Sequence, residues 1–448
     1  VMSARSNTEI LELLKEHAGK SHDKMIMAFG VSSFTVEEGR LISRQDLDSV
    51  SRTRQIVLFK LDGHACIVNQ VLIDALAGQI SCLRGFDAES GEMKEEAFFA
   101  ISSYCTRSVP IFGLIRNMLR AFDTLAAKGI GKISSASGVG FRRDLDVDLE
   151  RMVSRAVGRG FQMRLFFQTM DVDKVTRRKL PRVGGCFATA LDGSLMSLDA
   201  ALLEPYEKQD SKGVLFYRDD QVIDFCKKAN RLGLQIEMHA VGDAAFNQAV
   251  RALKTALDDH PRQDHRHGII HAFLPTEEGI RICAEYGIQI PTEAGIPLLN
   301  PLLRESLGLR FANLRPFRKF LDASIVMSLN SDGPSMKPDP IEWIHRACNR
   351  PVRDQSLTVF EALRMATYFG YWDTFDERER GSLEIGKIAD MAVLSENPYE
   401  VPVAILDRIR VEQLILAGKP YRKQKPSLVR FLLKGLLSQD QGPRPTVT

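Results

Sequence analysis

Two histidines and an aspartate close apolar, strand-like runs. Leu234–Ala245 carries an apolar run into His239, then a glycine turn at Gly242 and helical text. Ile269–His271 repeats the pattern, and Ile325–Pro334 carries a third run into Asp332. Two imidazoles and a carboxylate on strand ends suit a borderline divalent ion such as zinc. Such an ion lowers the pKa of a bound water and polarises a carbonyl. Asp332 could supply an oxygen ligand and also take the proton from the attacking water. Each histidine alone is more often a hydrogen-bonded core or loop residue; only the set of three points to a metal.

Other polar residues carry weaker signals. His64 follows an Asp62-Gly63 turn and could face a substrate pocket or fix its loop. Arg315 stands one helix before the Asp332 strand and could touch an acidic or carbonyl group of a substrate, or form a surface salt link. His265 and His267 have HxH spacing but precede their strand, which favours a structural role. Asp243 follows His239 across the Gly242 turn and reads as a helix cap. Asp192-Gly193-Ser194 reads as a turn, and no GxSxG supports a serine nucleophile.

The elements that must position these residues alternate strand with helix. Strand-like text at 161–167, 187–191, 234–238, 268–270, 288–290 and 324–329 is separated by helical periodicity. Such alternation predicts parallel strands with helical crossovers, and the count approaches a (β/α)8 TIM-like barrel, whose chemistry collects at the C-terminal strand ends. A doubly wound sheet is the runner-up; neither GxGxxG nor a P-loop is present. Ser6 to Glu9 and Thr358 to Glu361 have capping-box spacing. From Gly381 the text changes to short strands and tight turns. The expected organisation is therefore a barrel over 1–375, the C-terminal part of a β-sandwich over 376–421, and a basic, amphipathic tail over 422–448. The tail's apolar residues (Leu428, Phe431, Leu432) would dock on the body, with disorder from Gln439 onward.

Composition sets the outer bounds. The 448 residues are 44% hydrophobic, enough for one large domain and a smaller unit. Lys+Arg number 60 against 57 Asp+Glu, a formal charge of +3, so nothing marks a nucleic-acid-binding body. No long uniformly apolar run predicts a membrane span. Seven cysteines without a CxxC pair read as buried free thiols in a reducing, cytoplasmic setting.

Taken in order, these motifs resemble the amidohydrolase superfamily, specifically its amidohydrolase-3 branch. The matching text is Leu61–His64 with Asn69, Asp192–Ser194 with Ala200–Tyr206, Met238–Asp243, Arg266–His271, Asn330–Pro334 and Gly381–Asp390. The resemblance covers the chain to about Tyr421. It implies that His239 and His271 are metal ligands after barrel strands five and six, and that Asp332 is the strand-eight aspartate, metal-bound and general base. The implied reaction is hydrolysis of a non-peptide C–N bond, an amide or cyclic amide, through metal-activated water. Three departures stand out. The family's opening β-segment and first-strand His-x-His do not occur here, which implies a barrel short of its first strand or a segment upstream of Val1. The bridging lysine is missing from Gly184–Leu191, which implies one metal rather than two. Ile270 replaces the usual glutamate. The alternative is a degenerate, catalytically inactive protein that binds a small molecule. The expected partner is a small-molecule substrate, with a homodimer allowed; His64 and Arg315 are the substrate-binding candidates.

Overall fold

The computed structural model describes all residues except Phe34, Asp62, Gly140, Arg159, Lys208, 296–300, 424–426, Gln441, Arg444 and 446–448. The chain forms two compact units. The first is chiefly Val1–Val109; the second is chiefly Pro110–Val139, Arg143–Asp332 and Met336–Thr448. The boundary thus falls inside the 1–375 stretch expected as one body.

The first unit opens with a helix, Asn7–Lys20, whose cap is set by Ser6 Oγ accepting the Glu9 amide at 3.2 Å while Glu9 reaches back to the Arg5 amide at 2.8 Å. Its sheet runs β1 (Met25–Val31), β2 (Gln55–Lys60), β3 (Ala65–Val68) and β4 (Glu92–Lys94). The β1–β2 pair is parallel, but β3 and β4 add antiparallel. Asn69, wholly buried, locks this turn: Oδ1 accepts the Ile56 amide at 2.9 Å and the Leu72 amide at 3.3 Å. That residue of the sequence motif is therefore a helix cap.

The second unit is an α/β body with a parallel sheet in chain order: β5 (Lys132–Ser137), β6 (Gln162–Phe167), β7 (Arg182–Ala190), β8 (Gln235–Ala240) and β9 (Gly268–His271). Gln289 hydrogen-bonds to the β9 edge, with its carbonyl taking the Ile269 amide at 3.0 Å. The next strand, β10 (Ile290–Thr292), pairs in parallel with β11 (Met327–Leu329). The order never reverses, whereas a doubly wound sheet requires a reversal. Strand β8 is buried at every residue, as expected of a parallel strand covered on both faces. Ile236, Met238, Phe246, Ile269, Phe317 and Met327 belong to one continuous core.

A small antiparallel sheet follows: β12 (Met391–Leu394), β13 (Val411–Leu416) and β14 (Lys419–Pro420). The tail helix, Leu428–Leu437, packs on the body helix Leu145–Val157 through buried Phe431 and Gly435. Beyond it Asp440 pairs with Arg155 at 2.6 Å and with Arg151, and the Pro443 carbonyl takes a bond from Arg182 at 3.2 Å. The stretch expected to be disordered from Gln439 is thus held at these two residues. Among the described residues no single helix is long and apolar enough to cross a membrane.

Candidate metal centre

The structure brings His239 and His271 together. Their ring centroids lie 4.5 Å apart at 79°. His239 is in register with Ile270, not with His271. Side chains alternate faces along a strand, so a regular ladder would send the two imidazoles to opposite sides. The ladder ends here instead: His271 takes φ 75° and Ala272 φ 46°. Non-glycine residues rarely occupy this left-handed region, and such strain gathers at functional sites.

The third member is Cys186, which the sequence reading passed over. Its sulfur and the two imidazoles place ligand atoms within 4.8 Å of one another. The β7–β8 ladder explains how. Gly185 pairs with Met238, but the next pair is Ala190 with His239, so residues 186–189 bulge out of the strand. Gly184 (φ 130°) and Gly185 (φ 148°) open the bulge, and a Cβ on Gly184 would lie 1.8 Å from the Glu237 carbonyl oxygen. Gln168 Oε1 accepts the Phe187 amide at 2.8 Å and Tyr217 donates to the Ala188 carbonyl at 2.8 Å, which fix the bulge's shape. The Gly-Gly pair beside Cys186 was the available signal.

Two buried carboxylates border the cluster. Asp192 is fully buried; it accepts the amides of Val241 (2.9 Å), Gly242 (2.8 Å) and Ala201 (2.9 Å), and lies 3.5 Å from His239 Nε2. Glu293, after β10, places Oε1 2.8 Å from His271 Nδ1. Burial and His271 pull the His239 imidazole down, but Asp192 and Cys186 outweigh them and push it up to about 9. Burial likewise lowers His271, yet the Glu293 charge and Cys186 raise it well above its ordinary range. Two buried carboxylates beside the two imidazoles put negative charge around the cluster. A divalent cation answers the same field. The donor chemistry agrees: His271 Nε2 is buried without a hydrogen-bond partner.

The remaining sequence candidates are placed differently. Asp332 is half-buried with φ 44°, its amide given to Asn330 Oδ1 at 2.9 Å. This Asx turn carries it past the end of β11, and it stands outside the three-residue cluster. Arg315 is 1% exposed, so it is no surface residue; it lies over the Phe273 ring at 3.8 Å and donates to the Glu293 carbonyl at 2.9 Å. His64 sits in the first unit, just ahead of β3; Asp62 of its turn lies outside the described residues. His265 and His267 are buried, with His265 Nε2 on the Tyr286 carbonyl at 2.8 Å and His267 Nε2 on Asn230 Oδ1 at 3.0 Å. They brace the entry to β9, as their place before the strand predicts. Asp243 accepts the Leu203 amide at 2.8 Å and opens the helix Asp243–Asp259.

Known proteins share both sequence and fold with this chain. The amidohydrolase family model matches residues 1–421. YtcJ of Bacillus subtilis is 23% identical over 446 residues, covering 92% of this chain and 83% of YtcJ. The N-substituted formamide deformylase of Arthrobacter pascens is 28% identical over 219 residues, covering 46% of this chain and 40% of that enzyme. Among solved structures, an uncharacterized metal-dependent hydrolase from Pyrococcus horikoshii superposes with TM-score 0.68 at 20% identity, covering 86% of this chain and 78% of its own. A counterpart from Pyrococcus furiosus gives 0.66 at 23%, covering 86% and 80%. The chain belongs to the amidohydrolase family, in its amidohydrolase-3 branch.

Proposed function

We propose that this protein is a metal-dependent hydrolase of a small molecule, cleaving an amide or cyclic-amide C–N bond. The observation that carries this reading is the convergence of one sulfur and two imidazoles within 4.8 Å on three neighbouring parallel strands. Cys186, His239 and His271 would hold a single ion, and an S, N, N set with a fourth position left for water suits zinc. When bound, zinc lowers the pKa of water and polarises a carbonyl. The order of the parallel strands supports a (β/α)8-type barrel, with the site at its C-terminal end. Strands β12 to β14 are read as the C-terminal part of a β-sandwich. Seven unpaired cysteines fit a cytoplasmic setting.

Asp332 is assigned as general base. It takes the proton from water as oxygen adds to the substrate carbon. It then returns that proton to the nitrogen as the C–N bond breaks, so that acid and amine leave with the base restored. Arg315 lies within electrostatic reach of Asp332 and Glu293, which supports its place near the substrate. The assignment of His64 to the substrate rests on the sequence alone. That Asp332 stands outside the cluster favours a second reading, a protein that binds a small molecule without hydrolysing it.

Metal analysis of the purified protein, with Cys186→Ala and His239→Ala, tests the first reading. Stoichiometric zinc in the wild type and its loss in both variants is expected. Absence of stoichiometric metal in the wild type, or unchanged metal in the variants, refutes the ligand set. Turnover of N-formyl, N-acyl and cyclic amides by the zinc-loaded protein, lost in Asp332→Asn, then separates a hydrolase from a binder.

A further inference from the structure

Glu293 is a buried carboxylate that the hydrolysis does not consume. It is wholly buried, and its Oε1 meets His271 Nδ1 at 2.8 Å. The contact is braced on both sides. The Thr292 hydroxyl donates to the His271 carbonyl at 2.9 Å, and Arg315 Nη1 donates to the Glu293 carbonyl at 2.9 Å. Phe273 stands edge-on to the His271 ring with centroids 5.4 Å apart, and Arg315 covers Phe273 in turn.

Glu293 Oε1, 2.8 Å from His271 Nδ1, is placed to accept the proton of that nitrogen. Nε2 is then the atom left to bind a metal, and it is the buried atom with no hydrogen-bond partner. The strained backbone at His271 (φ 75°) does not select one ring nitrogen over the other; the Glu293 contact does. We propose that Glu293 is the positioning residue that fixes the orientation and tautomer of His271, presenting Nε2 to the metal. This rests on the reading that His271 is a ligand. Carboxylate–histidine pairs of this kind sharpen metal affinity by ordering the ligand before binding.

The test uses the full chain, zinc and a competing chelator, with Glu293→Ala and Glu293→Gln checked for folding by circular dichroism. Glu293→Ala is expected to weaken zinc binding by about ten- to a hundredfold. Glu293→Gln, whose amide oxygen still accepts the Nδ1 proton, should lose less. A second readout needs no metal: an exchange-protected Nδ1–H resonance, assigned to His271 by its loss in His271→Asn. It should be present in wild type, retained but shifted in Glu293→Gln, and absent in Glu293→Ala. A folded Glu293→Ala with wild-type zinc affinity, or one that keeps the protected resonance, overturns the proposal. If Glu293→Ala does not fold, Glu293→Gln decides: an unmoved resonance with unmoved affinity overturns it. A wild-type protein that binds no zinc sinks the metal reading instead, and the wild-type Nδ1–H resonance then decides by its presence or absence whether Glu293 holds the ring.

Discussion

Asp192 Oδ2 accepts the Gly242 amide at 2.8 Å, tying the loop after β7 to the turn after β8. The same carboxylate takes two further amides and borders His239. Asp192→Ala leaves these buried donors unmet. With each worth about 1–3 kcal/mol when unsatisfied, the variant is expected to lose at least about 3 kcal/mol in urea unfolding. It should also bind zinc more weakly, because His239 loses its neighbour. Asp192→Asn keeps one acceptor and should fall between.

Gly184 shapes the bulge that carries Cys186. Gly184→Ala puts a Cβ against a carbonyl oxygen of the neighbouring strand, so it is expected to yield insoluble protein or a loss above about 4 kcal/mol. Gly287→Ala is the contrast: its φ is 67°, but no atom lies within 4 Å. There only the left-handed backbone is penalised, by about 1–2 kcal/mol. Soluble yield and thermal unfolding separate the two.

His265 predicts a pH dependence. Its Nδ1 accepts the His267 amide at 2.9 Å, so the folded ring is neutral. Burial holds its pKa down at about 4, against about 6.5 when unfolded. The unfolded chain therefore binds the extra proton. The His265 contribution is fully present above pH about 6.5 and is lost as pH falls toward about 4, on the order of 3 kcal/mol. Unfolding at several pH values should show His265→Gln with a smaller acid loss than wild type. Equal slopes would refute the assignment.

Phe431 and Gly435 seat the tail helix. Gly435 has no room for a Cβ, which would meet the Met152 carbonyl oxygen at 2.6 Å. Phe431→Ala is expected to cost about 3 kcal/mol, and Gly435→Ala to lift the helix. Limited proteolysis should then cut after Tyr421 faster than in wild type, while Asp440→Asn, a half-exposed pair, changes stability by less than about 1 kcal/mol.

Local sequence determined the alternation of strand and helix in the second unit, the strand ends at His239 and His271, and both helix caps. Each depends on a few consecutive residues: an apolar run, a glycine, a serine or threonine three before an acid. The tertiary structure alone decided the rest. Text at 25–29 and 54–59 reads as two more strands of the same kind, because a strand-like run does not say which sheet it will join. Antiparallel β3 and β4 closed it into a unit of its own. Cys186 looked like any buried thiol until a four-residue bulge set it beside two histidines 53 and 85 positions later. Glu293 was invisible for the same reason: its partner is 22 residues away, and no local rule carries that distance. A metal centre made from three strands is a long-range contact, and only folding makes it.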